Sequence, residues 1–250
     1  MNTISIRFYG PLNDFISKGV RNREGSSLIH TVLPVNQSVK DLIESYGVPH
    51  TEVELIIVNG KPVDFNYTVQ PGEYISVFPE FSSIDVTTIT NLKSCLPNEI
   101  KFVIDVHLGK LTKYLRILGL DAAYKNDYSD SEIIKATIEE KRIMLTRDIG
   151  LLKNNKVVNG YWVRNTDPFE QAEEIISKFN LKDKIKPFTR CLSCNGEIEP
   201  VDKERIINKL EPKTIQYYNE FFICPACRKI YWKGSHWKKM EEMIYRFKNA

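Results

Sequence analysis

No apolar run in this chain approaches the ~20 residues that a membrane-spanning helix needs. The opening "MNTISIRFYGPL" lacks the charged-then-apolar layout of a secretory leader. A soluble, cytoplasmic protein is the expectation. Internal repeats and low-complexity tracts are also missing, which excludes solenoid arrays. Cysteine is scarce: five residues, too few for a disulfide-stapled scaffold of 250 residues. Net charge is only +3, so charge alone names no partner.

What is present is ordinary in amount and uneven in placement. Hydrophobic residues make up 42% and charged residues 27%, which suits packed globular domains. The length predicts two or three of them. Residues 1–97 carry 7 Lys/Arg against 10 Asp/Glu, whereas residues 188–250 carry 12 against 8. A polyanion is therefore expected at the C-terminal end.

The pattern of elements divides the chain into an N-terminal module (1–85), a linker (86–98), a central α/β domain (99–187) and a four-cysteine region (188–250). In the first, "TISIRFYG" and "SSLIHTVLPV" read as strands. "SVKDLIESYGVP" reads as a helix capped by Ser38 and stopped at Gly47. A strand, an Asn59-Gly60 turn and a closing strand from Tyr74 to Phe78 follow. Strand, strand, helix, strand, strand is the layout of a β-grasp domain. The stretch "VNGKPV…PGEYISVFP" resembles the ubiquitin-like sulfur carriers. The Gly-Gly on which carrier chemistry depends is absent from the whole chain, so a docking module for a protein partner is expected instead.

The central segment alternates strands (101–105, 121–124, 142–146, 157–163) with helices (108–118, 130–140, 148–153, 168–179). Unbroken runs such as "FVI" and "IML" suit a parallel sheet covered on both faces. Functional groups in such sheets gather at the carboxyl ends of the strands. Asp105 ends the first strand, Asp148 follows the third, Asp167 follows the fourth, and Asp130 opens the helix before the third. Carboxylates brought together repel one another unless a cation lies between them, and hard Mg²⁺ or Mn²⁺ prefers oxygen ligands. Each acid also has a plainer use as a helix cap. Asp167 precedes Pro168 and Glu170 and serves equally as an N-cap. Ser129 and Glu132 already form a capping box around Asp130, and Asp105 is the hardest to explain as a cap. Leu108, Leu111, Leu115 and Leu118 form the buried stripe of the first helix. Lys110 and Lys113 lie off that stripe, and with Arg147 they are candidate phosphate contacts or solvated surface.

"CLSC" (Cys191, Cys194) and "CPAC" (Cys224, Cys227) supply four thiolates for one tetrahedral, structural Zn²⁺. A redox role for either pair is the alternative. A helix is expected between them near "DKERIINKL". Beyond them, Lys233, His236 and Trp237 sit in a basic aromatic tail suited to single-stranded RNA, or to packing in the case of the tryptophans.

Together "FVIDVHLGKLTKYLRILGLDA", "YSDSEI", "RIMLTRDIGLL" and "CLSCNGEIEPV…CPACRKIYWKGSHWKKM" resemble the Mut-seven C-terminal RNase family, a branch of the PIN-like nucleases fused to a zinc ribbon. The β-grasp segment resembles the ubiquitin-like domain often found ahead of it. The resemblance implies a metal-dependent RNase, with Asp105, Asp130 and Asp148 matching the acidic positions for Mg²⁺ or Mn²⁺, and RNA as substrate, with tRNA a candidate. The sequence departs from the family pattern at His107, where a small or flexible residue is expected.

Overall fold

The computed structural model describes residues 3–17, 27–33, 37–81, 86, 88–90, 92, 99–235 and 237–249. The expected linker, 86–98, falls largely outside them, as do Cys95 and His236. No helix among the described residues is long and apolar enough to cross a membrane.

The N-terminal strands alternate in burial because successive side chains of a strand point to opposite faces. In β1 (Thr3–Phe8), Ile4, Ile6 and Phe8 point inward. β1 pairs antiparallel with β2 (Ser27–Val32). Helix α1 (Val39–Ser45) starts at Ser38, whose hydroxyl accepts from the Asp41 N–H at 3.1 Å, and ends before Gly47. β3 (Val53–Val58) turns at Asn59-Gly60, both at positive φ, into β4 (Lys61–Val63). β5 (Tyr74–Pro79) inserts between β1, to which it is parallel, and β3. The order β2-β1-β5-β3-β4 with one helix is the β-grasp arrangement.

The central segment runs β6 (Lys101–Ile104), α2 (Gly109–Ile117), β7 (Asp121–Ala123), α3 (Asp130–Glu139), β8 (Ile143–Thr146), α4 (Ile149–Leu152), β9 (Gly160–Trp162) and α5 (Pro168–Lys178). Every expected strand and helix is present, each trimmed by a residue or more. The strands pair in parallel, β6 with β7 and β8 with β9. All of β8 is buried, which explains its unbroken apolar run. The C-terminal region holds β10 (Glu199–Val201), α6 (Lys203–Ile206), α7 (Pro212–Tyr217), β11 (Phe221–Ile223), β12 (Ile230–Trp232) and α8 (Trp237–Asn249). Its strands form an antiparallel ribbon around Ile206, Phe221 and Ile223. The helix expected near "DKERIINKL" is α6 continued by a 3₁₀ turn.

By contacts the chain groups into two compact units. The first comprises residues 1–98 and 137–162, the second 99–136 and 163–250. Within the first, the β-grasp core is built on Ile6, Ile43, Ile56 and Ile75, and the β8–α4–β9 segment is fastened to the module. His50 bridges Glu44 (2.7 Å) and the Val157 carbonyl (2.9 Å). The Trp162 N–H donates to Glu52 at 2.8 Å, and its ring lies 4.8 Å from Phe15. In the second unit α2 packs on α5. Leu111, Leu115 and Leu118 are fully buried, each contributing about 1.5–3 kcal/mol. Gly119 ends α2 at φ +83, where a Cβ would stand 2.0 Å from the Lys186 carbonyl oxygen.

Candidate functional site

The strongest constellation is the cysteine cluster. Each C-x-x-C forms a tight knuckle. The Asn195 N–H donates to the Cys191 carbonyl at 3.0 Å, and the Arg228 N–H to the Cys224 carbonyl at 2.8 Å. Asn195 and Arg228 both take positive φ to make the turn. The four sulfurs lie within 4.8 Å of one another, with Cys191–Cys227 at 3.5 Å and Cys194–Cys224 at 3.4 Å. All four are free thiols. Tetrahedral zinc with ~2.3 Å Zn–S bonds needs sulfurs ~3.8 Å apart, so this cup fits the ion. A Cβ on Gly196 would stand 3.2 Å from Cys224 Sγ, so glycine keeps the cup open.

The thiols are electrostatically unequal. Burial disfavours the Cys191 thiolate, but the Tyr231 hydroxyl, 3.0 Å away, and the Cys194 and Ser193 N–H groups bring the thiol down to about 6. Burial, with the adjacent sulfurs, pushes Cys194 up to about 12. Tyr231 is held well above its ordinary value by burial and by Cys191, so it remains a donor.

The first knuckle is welded to the central α/β segment. Buried Arg116 donates through Nε to the Ala122 carbonyl (3.0 Å) and through Nη1 to the Leu192 and Ser193 carbonyls (3.0 and 2.9 Å). Burial lowers its pKa, while Cys191, Cys194 and Asp121 raise it. Asn195 completes the weld, accepting from the Ala122 N–H at 2.9 Å and donating to Asp121 at 2.7 Å. Sequence reading gave Arg116 no role. Its spacing of four from buried Thr112 was a signal, but it becomes legible only when the knuckle is seen to cover that face.

Asp105 follows β6, is 4% exposed, and caps the following 3₁₀ turn without a side-chain hydrogen bond to it. Asp130 is exposed on the first turn of α3, where Ser129 and Glu132 make the capping box: the Ser129 N–H donates to Glu132 at 2.9 Å. Those hydrogen bonds hold the Glu132 carboxyl below its ordinary value. Asp148 caps α4, its Oδ1 accepting from Gly150 and Leu151 N–H at 2.7 and 3.3 Å. Its own N–H donates to buried Thr146 at 2.8 Å. Asp167 caps α5 in the same way, from Phe169 and Glu170. Arg147 lies beside Asp148, with its guanidinium 5.9 Å from the Trp162 ring and its carbonyl accepting from Trp162 Nε1.

The second unit carries a cleft of about 620 Å³ where α2 and α5 begin. Lys110 and Lys113 line it, with His107, Tyr124, Gln171 and the Thr166 and Pro168 that flank Asp167. His107, the departure from the family pattern, is therefore a wall of this cleft. Tyr124 and Gln171 carried no signal in the sequence, because a loop and a distant helix bring them there.

Part of the basic tail is engaged in packing. Trp237 opens α8 and stacks on Phe188 at 3.9 Å. Lys233 pairs with Glu220 at 2.6 Å and lies over the Trp237 ring. Phe247 of α8 is fully buried, stacked 4.4 Å from Phe169.

Residues 100–244 match the family model of the Mut7-C RNAse domain, and residues 1–85 match that of Mut7-C ubiquitin. No curated protein and no solved structure matches the chain significantly. The RNase-domain match spans more than half of the sequence and contains the knuckles, the acids and the cleft, and on that ground the chain belongs to the Mut7-C RNase family, with a Mut7-C ubiquitin-like module at its N-terminal end.

Proposed function

We propose that this protein is a divalent-metal-dependent endoribonuclease of PIN-like type, acting on structured RNA such as tRNA in the cytoplasm. The observation that carries the reading is the cleft at the start of α2 and α5: Lys110 and Lys113 face it, and among the described residues no carboxylate lines it. That is a surface for phosphates. Asp105, Asp130 and Asp148 are the proposed ligands of Mg²⁺ or Mn²⁺, with Asp167 beside the cleft as a further acid. All three are carboxylates, the chemistry those hard ions prefer, although among the described residues the structure gathers only the four cysteines within metal-ligand range of one another. Asp148 and Asp167 each spend Oδ1 on a helix N-terminus, which orients the second oxygen without neutralising the charge. A divalent cation, when bound, would neutralise phosphate charge and lower the pKa of a water ligand. The chain's own residues then do the rest. Lys110, Lys113 and Arg147 hold phosphate oxygens, and the cap hydrogen bonds fix the acids. Cys191, Cys194, Cys224 and Cys227 hold zinc as a structural ion, with no ligand position open to substrate.

The capping duties of Asp148 and Asp167 favour a second reading, a non-catalytic adaptor that grips RNA or a protein. One digest separates the two. Purified protein with its zinc retained is incubated with tRNA and unstructured RNA, with Mg²⁺, with Mn²⁺ and with neither. Internal cuts that need the added cation are expected. Intact RNA in all three, from protein that binds it, leaves the adaptor. The β-grasp module is the proposed protein-docking element.

A further inference from the structure

The cleft does not end at Tyr124. A second trough of about 350 Å³ adjoins it, sharing Gly109, Lys113, Tyr124 and Asn126, and runs on past Lys125 to Leu192 and Ser193 of the first zinc knuckle. Both lie wholly in the second unit. Among the described residues no carboxylate lines either, whereas three lysines face them: Lys110, Lys113 at the join, and Lys125. Lys110 and Lys113 make no ion pair among the described residues. The far wall is fixed, because Arg116 ties the knuckle carbonyls to the core. The ring at the join is fixed too. Tyr124 donates to the Val106 carbonyl at 3.1 Å, and its hydroxyl fills the space over Gly109, where a Cβ would stand 2.5 Å away.

We infer that the two troughs form one groove for a single strand of RNA, which leaves the cleft across Tyr124 and follows Lys125 onto the zinc knuckle; this rests on the ribonuclease reading above. The lysines would take successive phosphates and the half-exposed tyrosine would take a base face, the combination by which single strands are gripped without sequence preference. Each compartment has the volume of a small-ligand site, ~300–1,000 Å³, so each holds a nucleotide or two. A duplex keeps its bases paired inside and offers Tyr124 no base face. The zinc knuckle then has a second task besides holding the ribbon, as the wall over which the strand leaves.

The test is fluorescence anisotropy on the full chain without added divalent cation. Labelled single strands from a dinucleotide to about ten nucleotides are compared, a length within the range a single-strand site covers. Affinity should rise with length until the groove is filled. Lys125 is exposed, lies 5.1 Å over the Tyr128 ring and helps hold the Glu132 carboxyl ionised, so Lys125→Ala should fold. That variant should weaken the longest strand roughly tenfold, the scale of one charge-assisted contact, and weaken the dinucleotide much less. Its salt slope on the longest strand should fall by ~0.7, one phosphate's share on single strands. Equal losses on both lengths, no loss on the long strand, or a blunt duplex bound as tightly as the single strand would each overturn the groove. Cleavage in Mg²⁺ or Mn²⁺ is scored separately. Length-dependent binding broken by Lys125→Ala, in a protein that cuts nothing, keeps the groove and removes the nuclease. Cleavage with length dependence untouched by Lys125→Ala does the reverse.

Discussion

Asp105 and Asp148 both follow buried strands, yet they differ in local duty. Asp148 satisfies two N–H groups of α4, and asparagine caps a helix about as well as aspartate. Asp148→Asn should therefore leave the melting temperature within a few degrees, whereas Asp148→Ala should cost about 1 kcal/mol as well. Asp105→Asn keeps the shape of a buried side chain that makes no capping bond. It should abolish cleavage with little change in melting temperature. Activity assays beside thermal melts check both acids, and full cleavage by purified Asp105→Asn would remove that residue from the chemistry. Gly119 shows the opposite balance. A side chain there costs about 1–2 kcal/mol for its left-handed backbone, and the Cβ would also collide with the Lys186 carbonyl. Gly119→Ala should destabilise by about 3 kcal/mol or more, read from the denaturant midpoint. A loss below about 1 kcal/mol would show that the 186–188 segment yields.

Among elements, those with a clean period were legible. The β-grasp strands, α1 with its Ser38 cap, and the leucine stripe of α2 follow from alternation, capping and 3.6-residue spacing alone. The acids at strand ends were legible as candidates for the same reason. Helix α8 was read as a basic tail, although Trp237, Met240, Ile244 and Phe247 have helical spacing. Its many lysines drew attention to charge, and the apolar stripe gains meaning only from the Phe169 and Tyr114 rings that receive Phe247. Phe247→Ala should cost about 3–5 kcal/mol, seen in the chemical denaturation of the second unit. The knuckle weld was illegible because its bonds run from Arg116 to residues 76 and 77 positions later. It makes a prediction about metal. Dialysis against mild chelator should leave about one zinc per chain. Cys224→Ser should lose that zinc and lower stability by several kcal/mol, since the carbonyls bound by Arg116 lose their fixed frame. Reduced, metal-free protein with an intact melt would refute a structural zinc.

The whole molecule joins its parts in an order that the sequence does not show. Residues 137–162, which lie within the RNase-domain match and carry Arg147 and Asp148, group with the ubiquitin-like module. The module meets that segment with paired polar groups as well as apolar surface. Glu52 takes the Trp162 N–H, His50 takes the Val157 carbonyl, and Lys153 donates to the Glu44 carbonyl. Deleting residues 1–85 would strip all three and uncover Trp162, whose indole N–H holds the Arg147 carbonyl. Unpaired buried groups cost about 1–3 kcal/mol each, enough in sum to loosen the segment beside Asp148. The truncated chain should therefore lose more than tenfold in cleavage, over about 1.4 kcal/mol in the barrier. Amide exchange at residues 157–162 should speed up in parallel. Exchange separates this cause from loss of an RNA contact, because a module that merely touched RNA would leave 157–162 protected when removed. Cleavage within tenfold and unchanged protection would mean that the module docks partners without supporting the site.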